Sequence, residues 1–325
     1  MRLLTWNCAK GRIDAKAPRL DPLAADIIVL QECARPDATS DRCLWFGDNP
    51  LQGIAILVRE DFSISALPAR ADVPPYTIPI IVRGSHGAFL ILAVWSKKAR
   101  RHPYVEGVVE AIDTYRDLIE AMPTVVIGDL NSNAIWNRQH PVTHNHSALV
   151  ARLAGLGMTS AYHAYFGESH GAESMHTFYF RKKAEKPFHI DYCFVPSTWL
   201  LGLKHVGIGN YAEWHDVSDH RPLWVDIDDA VIAASEPGAM PLEVLRALYL
   251  ALGAIEELPG ERTMLGRCCT FEAFIANGPA CAAFLRRDAG DEGRPDLAAL
   301  LLTAFPVDPP EFDDWPIDRR DQRRR

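Results

Sequence analysis

Residues 124–132 read Thr-Val-Val-Ile-Gly-Asp-Leu-Asn-Ser. A short β-branched run leads into a glycine, and the polar side chains of Asp129 and Asn131 follow at once. This order predicts a buried strand over residues 125–127 that ends in a polar turn. Because a sheet holds its strand ends rigidly, the segment predicts both a sheet and a chemical site at the edge of that sheet.

The same pattern recurs along the first 230 residues. Short apolar runs bounded by turn residues predict further strands over residues 3–6, 27–30, 53–58, 78–82, 89–95, 190–195 and 223–227. Helical spacing of apolar residues predicts helices over residues 105–122 and 149–156, the second with Ser147 as its N-cap and Gly157 as its stop. Strands interleaved with a few helices favour an α/β fold of stacked sheets with helices outside.

The strand pattern ends near Ala230. We expect a catalytic domain over residues 1–229, a small C-terminal helical extension over residues 230–305, and a flexible tail over residues 306–325 that is rich in Pro, Asp and Arg. The extension carries no recognisable chemistry. Capping of the sandwich, dimerisation and partner recruitment all remain open for it, and the sequence indicates neither a protein partner nor an oligomeric state.

Composition narrows the function classes. The chain has 325 residues, of which 48% are hydrophobic, and a formal net charge of −8. These values exclude collagen, coiled coil and wholesale disorder, and no apolar run is long enough to span a bilayer. A protein that coats DNA by charge alone would be basic, so a nucleic-acid substrate would need a local basic patch and a metal. Seven cysteines without a Cys-x-x-Cys pair, and no signal-peptide stretch, predict a reduced, cytoplasmic protein.

Polar residues stand at the ends of several predicted strands. They include carboxylates, amides and one histidine: Asn7, Glu32, Asp129, Asn131, Asp191, Asp219 and His220. Carboxylates clustered in a cleft stay ionised only when a cation joins them. Oxygen-rich sites suit a hard ion such as Mg²⁺ or Mn²⁺, and a histidine beside them supplies proton chemistry near neutral pH.

The motifs that contain these residues resemble those of a known superfamily. Thr-Trp-Asn7, Leu-Gln-Glu32, Gly-Asp129-Leu-Asn131-Ser, His-Ile-Asp191-Tyr and Ser-Asp219-His220-Arg-Pro-Leu occur in that order. Together they resemble the motifs of the endonuclease/exonuclease/phosphatase superfamily, which includes DNase I-like nucleases. The resemblance covers residues 1–228. A pattern such as Gly-Asp-x-Asn alone should arise by chance in about one such chain in twenty, whereas five motifs in order are very improbable by accident.

The resemblance implies a four-layer α/β/β/α sandwich and hydrolysis of a phosphate ester. It implies that Glu32 binds the metal, with Asn7 beside it and Asp219 near the ion directly or through water. One or two ions are both compatible with it.

The resemblance also implies the catalytic roles. Asp129 and Asn131 would position the attacking water and the phosphoryl oxygens. His220 would contact the phosphate or transfer a proton. Asp191 would hold the imidazole, and the logic of such a His–carboxylate pair stands without the family, because the acid fixes tautomer and orientation.

One position departs from the superfamily pattern. The middle strand usually ends at a His or Tyr, whereas here it ends at Trp95 and Ser96. A basic loop with Lys97 and Arg101 follows at once. Our hypothesis is that this loop replaces the missing phosphate contact, the alternative being a solvated basic loop.

Two further residues are candidate substrate contacts. Ten of the twelve histidines lie between His140 and His220, and His146 precedes a predicted helix, whose N-terminal N–H groups suit a phosphate. The pair His144-x-His146 also admits a zinc site, and surface or capping roles remain open. Trp136 follows the Asn131 loop and either stacks on a base or packs in the core.

Three functions remain open from the sequence. The first is metal-dependent hydrolysis of phosphodiester bonds in nucleic acid, with basic patches at residues 97–101 and 181–183. The second is a phosphatase or phosphodiesterase acting on a small or lipid-derived phosphate ester. The third is a non-catalytic binding module, against which the joint presence of all the motifs argues. We expect no membrane association, because no amphipathic basic helix is evident.

Overall fold

The computed structural model describes residues 1–70, 73, 76–85, 87–99 and 103–234. The strands are β1 Arg2–Asn7, β2 Ile27–Cys33, β3 Cys43–Asn49, β4 Gln52–Val58, β5 Ser63–Ala66, β6 Thr77–Gly84, β7 Gly87–Trp95, β8 Thr124–Asp129, β9 Met158–Ser160, β10 Phe178–Tyr179, β11 Pro187–Phe188, β12 Asp191–Pro196, β13 Leu203–Ile208 and β14 Leu223–Ile227. The α-helices are α1 Ile13–Leu20, α2 Val105–Thr114, α3 Arg116–Ala121, α4 His146–Gly155, α5 Ala161–Phe166, α6 Tyr211–Trp214 and α7 Asp229–Ala234.

Twelve of these strands form two six-stranded sheets. The first has the order β13-β14-β1-β2-β4-β3 and the second the order β5-β6-β7-β8-β12-β9, while β10 and β11 form a separate hairpin. Within the sheets, β1–β2 and β7–β8 are parallel pairs and the other pairs are antiparallel. The central strands are buried along their whole length, as expected for strands covered on both faces.

The sheets pack face to face around one core. Leu3, Val29 and Ile56 of the first sheet belong to the same buried cluster as Ile91 and Ile127 of the second. Alternate residues of each strand point the other way, toward the outer layers.

Helices cover the outer faces. Leu4, Trp6 and Leu30 of the first sheet pack with Leu20 of α1 and with Trp214 of α6. Beside the second sheet, α2 buries its apolar side and contacts α4, which contacts β9. The layer order confirms the predicted α/β/β/α sandwich.

Each predicted strand is present. The structure also has strands whose apolar pattern was too weak to predict them. β3 is a half-buried edge strand, β5 has four residues, and β13 has two exposed polar positions. The single helix predicted over residues 105–122 breaks at Tyr115 into α2 and α3. The N-cap of α4 is Asn145 rather than Ser147, because the Asn145 side chain accepts the amide N–H of Ala148 at 2.9 Å.

The C-terminal predictions fall mostly beyond the described residues. Of the predicted helical extension, residues 230–234 are described and belong to α7, where Ile232 is buried. The remaining predictions for residues 235–305 and for the tail over residues 306–325 lie outside the described residues. Within the described part of the chain, no helix has both the length and the apolar character needed to cross a bilayer.

Candidate active site

The polar side chains predicted at strand ends meet at one edge of the two sheets. Asn7 ends β1 in the first sheet, and Asp129 ends β8 in the second. The Asn7 amide Nδ2 donates to Asp129 Oδ2 at 3.0 Å and lies 3.2 Å from Glu32 Oε1. One buried amide group therefore joins two carboxylates across the gap between the sheets.

Glu32 reaches this edge through an irregularity in β2. The register with β4 shifts between Leu30 and Cys33, and Glu32 has a φ of +57°. Strict alternation would place Cys33 on the face opposite to Leu30, yet both belong to the outer cluster. The bulge turns the Glu32 carboxylate toward Asn7, and Gln52 Nε2 fixes its other oxygen at 2.9 Å.

Asp129 is fully buried and surrounded by donors. The backbone N–H of Asn131 donates to its Oδ1 at 2.9 Å, and Asn131 Nδ2 donates to its Oδ2 at 2.9 Å. Asn131 itself has a φ of +45°, and its amide also donates to the carbonyl of Ser96 at 3.0 Å. Burial raises the pKa of Asp129, and the nearby Asp191 carboxylate raises it further, whereas His220 and the amide donors oppose the shift.

His220 and Asp191 form the predicted pair. Asp191 lies opposite Asp129 in the β8–β12 ladder, and its Oδ2 is 2.9 Å from His220 Nδ1. His220 Nε2 lies 3.9 Å from Asp129 Oδ2. Burial lowers the pKa of His220, but the charges of Asp191 and Asp129 and the hydrogen bond to Asp191 outweigh it and raise the pKa to about 9. The imidazole therefore lies between the carboxyl groups of Asp191 and Asp129.

Two hydroxyl groups outside the predicted catalytic and metal-binding set hold this pair in place. The Ser218 hydroxyl accepts the N–H of His220 at 2.9 Å and donates to the carbonyl of Asn7 at 2.7 Å. The Thr177 hydroxyl accepts the N–H of Asp191 at 3.0 Å. Ser218 was recognisable as the first residue of the Ser-Asp-His motif. Thr177 stands before the aromatic run 178–180, where the sequence favours a contact at the rim of the site, and its bond to Asp191 becomes visible only through the fold.

Arg221 is a second buried support. Its Nη1 donates to the carbonyls of Ser218 and His220 at 2.9 and 2.8 Å. The guanidinium lies 4.8 and 4.9 Å from the ring centroids of Tyr179 and Tyr211. The Arg221 side chain thus stabilises the loop that carries Asp219 and His220.

The residues predicted to contact the metal and the phosphate differ in the contacts they make with the site. Asp219 is half-buried, and its charge helps to raise the pKa of His220, but among the described contacts only its carbonyl has a bond, from the N–H of Tyr179 at 2.8 Å. Lys97 Nζ lies 3.5 Å from the ring centroid of Tyr76 and 3.6 Å from that of Trp95. Burial lowers the pKa of Lys97, while the negative charges of Asp48 and Glu32 oppose the shift. The Lys97 ammonium group therefore interacts electrostatically with the Glu32 carboxylate. Arg101 lies outside the described residues.

His146 and Trp136 lie apart from the carboxylates. His146 is 1% exposed, and both its ring nitrogens are engaged, with Ser132 Oγ at 3.1 Å and His170 Nδ1 at 3.0 Å. This interior position corrects the expectation that His146 contacts substrate, because a phosphate cannot reach it in this arrangement. The prediction of a zinc site at His144-x-His146 is also wrong, since His144 faces Glu110 instead.

Trp136 is half-buried, and its ring lies 5.1 Å from the ring of Phe188.

Phe188 belongs to an aromatic row that reaches the His220–Asp191 pair. Phe188 and Phe178 face each other in the β10–β11 hairpin, with ring centroids 6.3 Å apart, and Phe178 lies 4.6 Å from the ring of His220. Trp136 therefore stands at the far end of a row that leads to His220.

The donors at this edge fit a hard divalent cation. Glu32 and Asp129 offer carboxylate oxygens, which are ligands that Mg²⁺ and Mn²⁺ prefer, whereas the Asn7 amide oxygen accepts the N–H of Ala9 at 3.1 Å and would have to turn to join them. Two carboxylates share one amide donor here, and a divalent cation would balance their charge.

Neither a family model nor a curated protein matches the sequence. Solved structures do resemble the fold. An AP endonuclease (LMAP) from Leishmania major matches with a TM-score of 0.53 and 13% identity, over 69% of this chain and 86% of that chain. An AP endonuclease from Archaeoglobus fulgidus matches with a TM-score of 0.51 and 14% identity, over 70% and 99%. The 3′ phosphatase NExo from Neisseria, bound to a product DNA hairpin, matches with a TM-score of 0.50 and 20% identity, over 70% and 99%.

At these identities the likeness concerns the fold. This chain has two six-stranded sheets packed face to face, with helices outside. The described part of this chain therefore has the DNase I-like α/β/β/α fold.

Proposed function

We propose that this chain is a metal-dependent phosphoric ester hydrolase that cleaves phosphodiester bonds in nucleic acid. The observation that carries the proposal is the convergence of Asn7, Glu32, Asp129, Asp191 and His220 within one connected set of short contacts. A binding module would have no need of a buried imidazole between two buried carboxyl groups.

Each side chain has a task that follows from its position. Glu32 and Asn7 would hold Mg²⁺ or Mn²⁺, with Asp219 close by, and the cation would neutralise charge on the phosphoryl oxygens. Asp129, oriented by Asn131, would accept a hydrogen bond from the attacking water. His220, oriented by Asp191, would donate from Nε2 to a phosphoryl oxygen.

Nucleic acid is favoured by the surface next to the pair. The β10–β11 hairpin is joined to the catalytic loop, since Phe178 bridges to His220 through the backbone. Its tip exposes Arg181, Lys182 and Lys183, and Phe180 is 42% exposed. Basic side chains beside an exposed aromatic ring suit a polyanion with stackable bases. The matched structures include two AP endonucleases and a phosphatase with bound DNA, which supports this choice.

The test is a substrate panel with Mg²⁺, Mn²⁺ or EDTA. The panel holds single- and double-stranded DNA, abasic DNA, RNA, DNA with a 3′ phosphate and small phosphomonoesters. We expect metal-dependent cleavage of a polymer that falls at least 10²-fold in His220→Ala, whereas His140→Ala, which removes a half-buried imidazole bound to Glu106, keeps the activity. Turnover of small monoesters alone would replace the proposal with the phosphatase alternative, and a silent but folded protein would overturn it.

A further inference from the structure

A second group of metal-binding side chains lies on the other face of β12. The ligand atoms of His163, His170 and Glu173 all lie within 4.8 Å of one another. We propose that these three residues form a zinc site, separate from the proposed catalytic metal site, which braces the segment between α5 and β10.

The donor set selects the metal. Two imidazoles and one carboxylate form a set that Zn²⁺ accepts in proteins, whereas Mg²⁺ and Mn²⁺ favour oxygen ligands. The side chains of His163 and Glu173 are only 8% and 4% exposed, and His163 Nε2 is 3.1 Å from Glu173 Oε1. The rings of His163 and His170 are stacked, with centroids 3.5 Å apart at 20°, and they would have to move out of this stack to direct one nitrogen each at a common ion.

Outer contacts already orient the ligands. The Ser160 hydroxyl is 2.8 Å from His163 Nδ1, which leaves Nε2 to face Glu173. Gly171 N–H and Asn133 Nδ2 donate to the Glu173 carboxylate. Metal-bound imidazoles are regularly fixed in this way through their second nitrogen.

His189 gives an independent sign that a ligand belongs here. Its Nδ1 donates to the carbonyl of Met175 at 2.9 Å, so Nε2 carries the lone pair. His189 is 2% exposed, and Nε2 is buried without a hydrogen-bond partner in the described part of the chain. Its ring lies 6.1 Å from that of His163. His189 lies outside the group whose ligand atoms are all within 4.8 Å of one another, so its ring would have to move toward the ion to supply a fourth ligand.

The site connects to the catalytic residues through short contacts. His170 bonds to His146, and His146 bonds to Ser132, which follows Asn131. Glu173 stands four residues before Thr177, whose hydroxyl accepts the N–H of Asp191. A metal here would therefore fix the loop that supports the proposed catalytic strand end.

The experiment uses the full chain, stripped with chelator and held in excess Mg²⁺ to occupy the oxygen-rich site. Zn²⁺ affinity and stoichiometry are measured with a competing chromophoric chelator, and Co²⁺ is added separately as a spectroscopic probe. We expect one tight Zn²⁺ per chain and the visible absorption of four-coordinate Co²⁺. His163→Gln and Glu173→Gln should each weaken Zn²⁺ binding at least 100-fold, and Ser160→Ala should weaken it about 10–100-fold.

The matched control is His144→Gln, which removes another histidine hydrogen-bonded to a glutamate, since His144 Nε2 lies 3.0 Å from Glu110. This variant should bind Zn²⁺ as the unchanged protein does. Because Glu173→Gln preserves side-chain shape, its melting temperature without metal shows that it is folded. The proposal would be overturned if His163→Gln and Glu173→Gln bound Zn²⁺ as tightly as the unchanged protein does. It would also be overturned if the unchanged protein bound no Zn²⁺ tightly in the presence of Mg²⁺.

Discussion

One added methyl group at Gly128 tests how the fold builds the site. Gly128 precedes Asp129 at the end of β8, pairs in register with Val94 of β7, and has a φ of +146°. A Cβ atom on its backbone would lie 1.9 Å from the carbonyl oxygen of Val94 and 2.8 Å from the carbonyl carbon. Both obstacles are backbone, which cannot rotate away as a side chain can.

The expected loss of stability follows from this geometry. Real Cβ contacts are essentially never below 3.0 Å, so β7 and β8 must move apart or Gly128→Ala must change its backbone angles. A strained backbone costs about 1–3 kcal/mol, and overpacking a core typically costs about 1–3 kcal/mol. The free energy of unfolding should fall by about 2–6 kcal/mol, which for a domain of this size lowers the melting temperature by about 5–20 °C.

Activity should fall beyond the effect of stability. Asp129 is the next residue, and its three hydrogen bonds to Asn7 and Asn131 are fixed by the strand end. A displacement of about 1 Å at a reacting group costs about 10²-fold in rate. We therefore expect cleavage by Gly128→Ala to fall about 10²-fold at a temperature where the variant is still folded.

Gly155→Ala is the matched control, because it makes the same chemical change but is expected to raise stability rather than lower it. Gly155 is helical, and a Cβ there meets no atom within 4 Å. Alanine should leave activity unchanged and raise the unfolding free energy by up to about 1 kcal/mol. Calorimetry, urea denaturation and single-turnover cleavage are compared for the two variants. A Gly128→Ala protein that melts and cleaves like the unchanged chain would refute the reasoning.

Three other substitutions probe the supports of the site. Asp191→Asn keeps the shape of the acid but removes the charge that orients His220, so single-turnover cleavage should fall about 10²–10⁴-fold; a loss below fivefold would contradict the assigned role. Arg221→Lys loses the planar guanidinium that contacts two tyrosine rings while donating to two carbonyls, and urea unfolding should show a loss of about 1–3 kcal/mol, against no change if the contacts are incidental. Arg181→Ala should raise the KM for DNA and reduce the slope of log affinity against log salt by about 1, and an unchanged slope would remove this residue from the phosphate contacts.

The fold was predictable where burial acts on both faces of a strand. The runs around Val29, Ile91 and Ile127 are continuously apolar because sheet packs on one side and helix on the other. Edge strands such as Cys43–Asn49 are only half-buried, so their composition does not differ enough from that of loops.

The candidate site was predictable as a set of residues but not as a geometry. Asn7, Asp129 and Asp191 stand at strand ends, and the sheet register brings them together. Glu32 needs a bulge with a positive φ, which no local pattern announces. The interior position of His146 depends on the distant His170, so spacing along the chain could not reveal it.

The two proposed metal sites lie on opposite sides of β12, although none of their proposed ligands belongs to this strand. Asp191 extends to His220 among carboxylates and amides, whereas the adjacent Tyr192 points to the other face. The Tyr192 ring lies 5.1 Å from that of His146 and 6.0 Å from that of His170. Because successive side chains of a strand point to opposite faces, β12 itself stands between the two proposed sites. A hard cation at the first site and Zn²⁺ at the second would therefore meet different donor sets on the two sides of one strand.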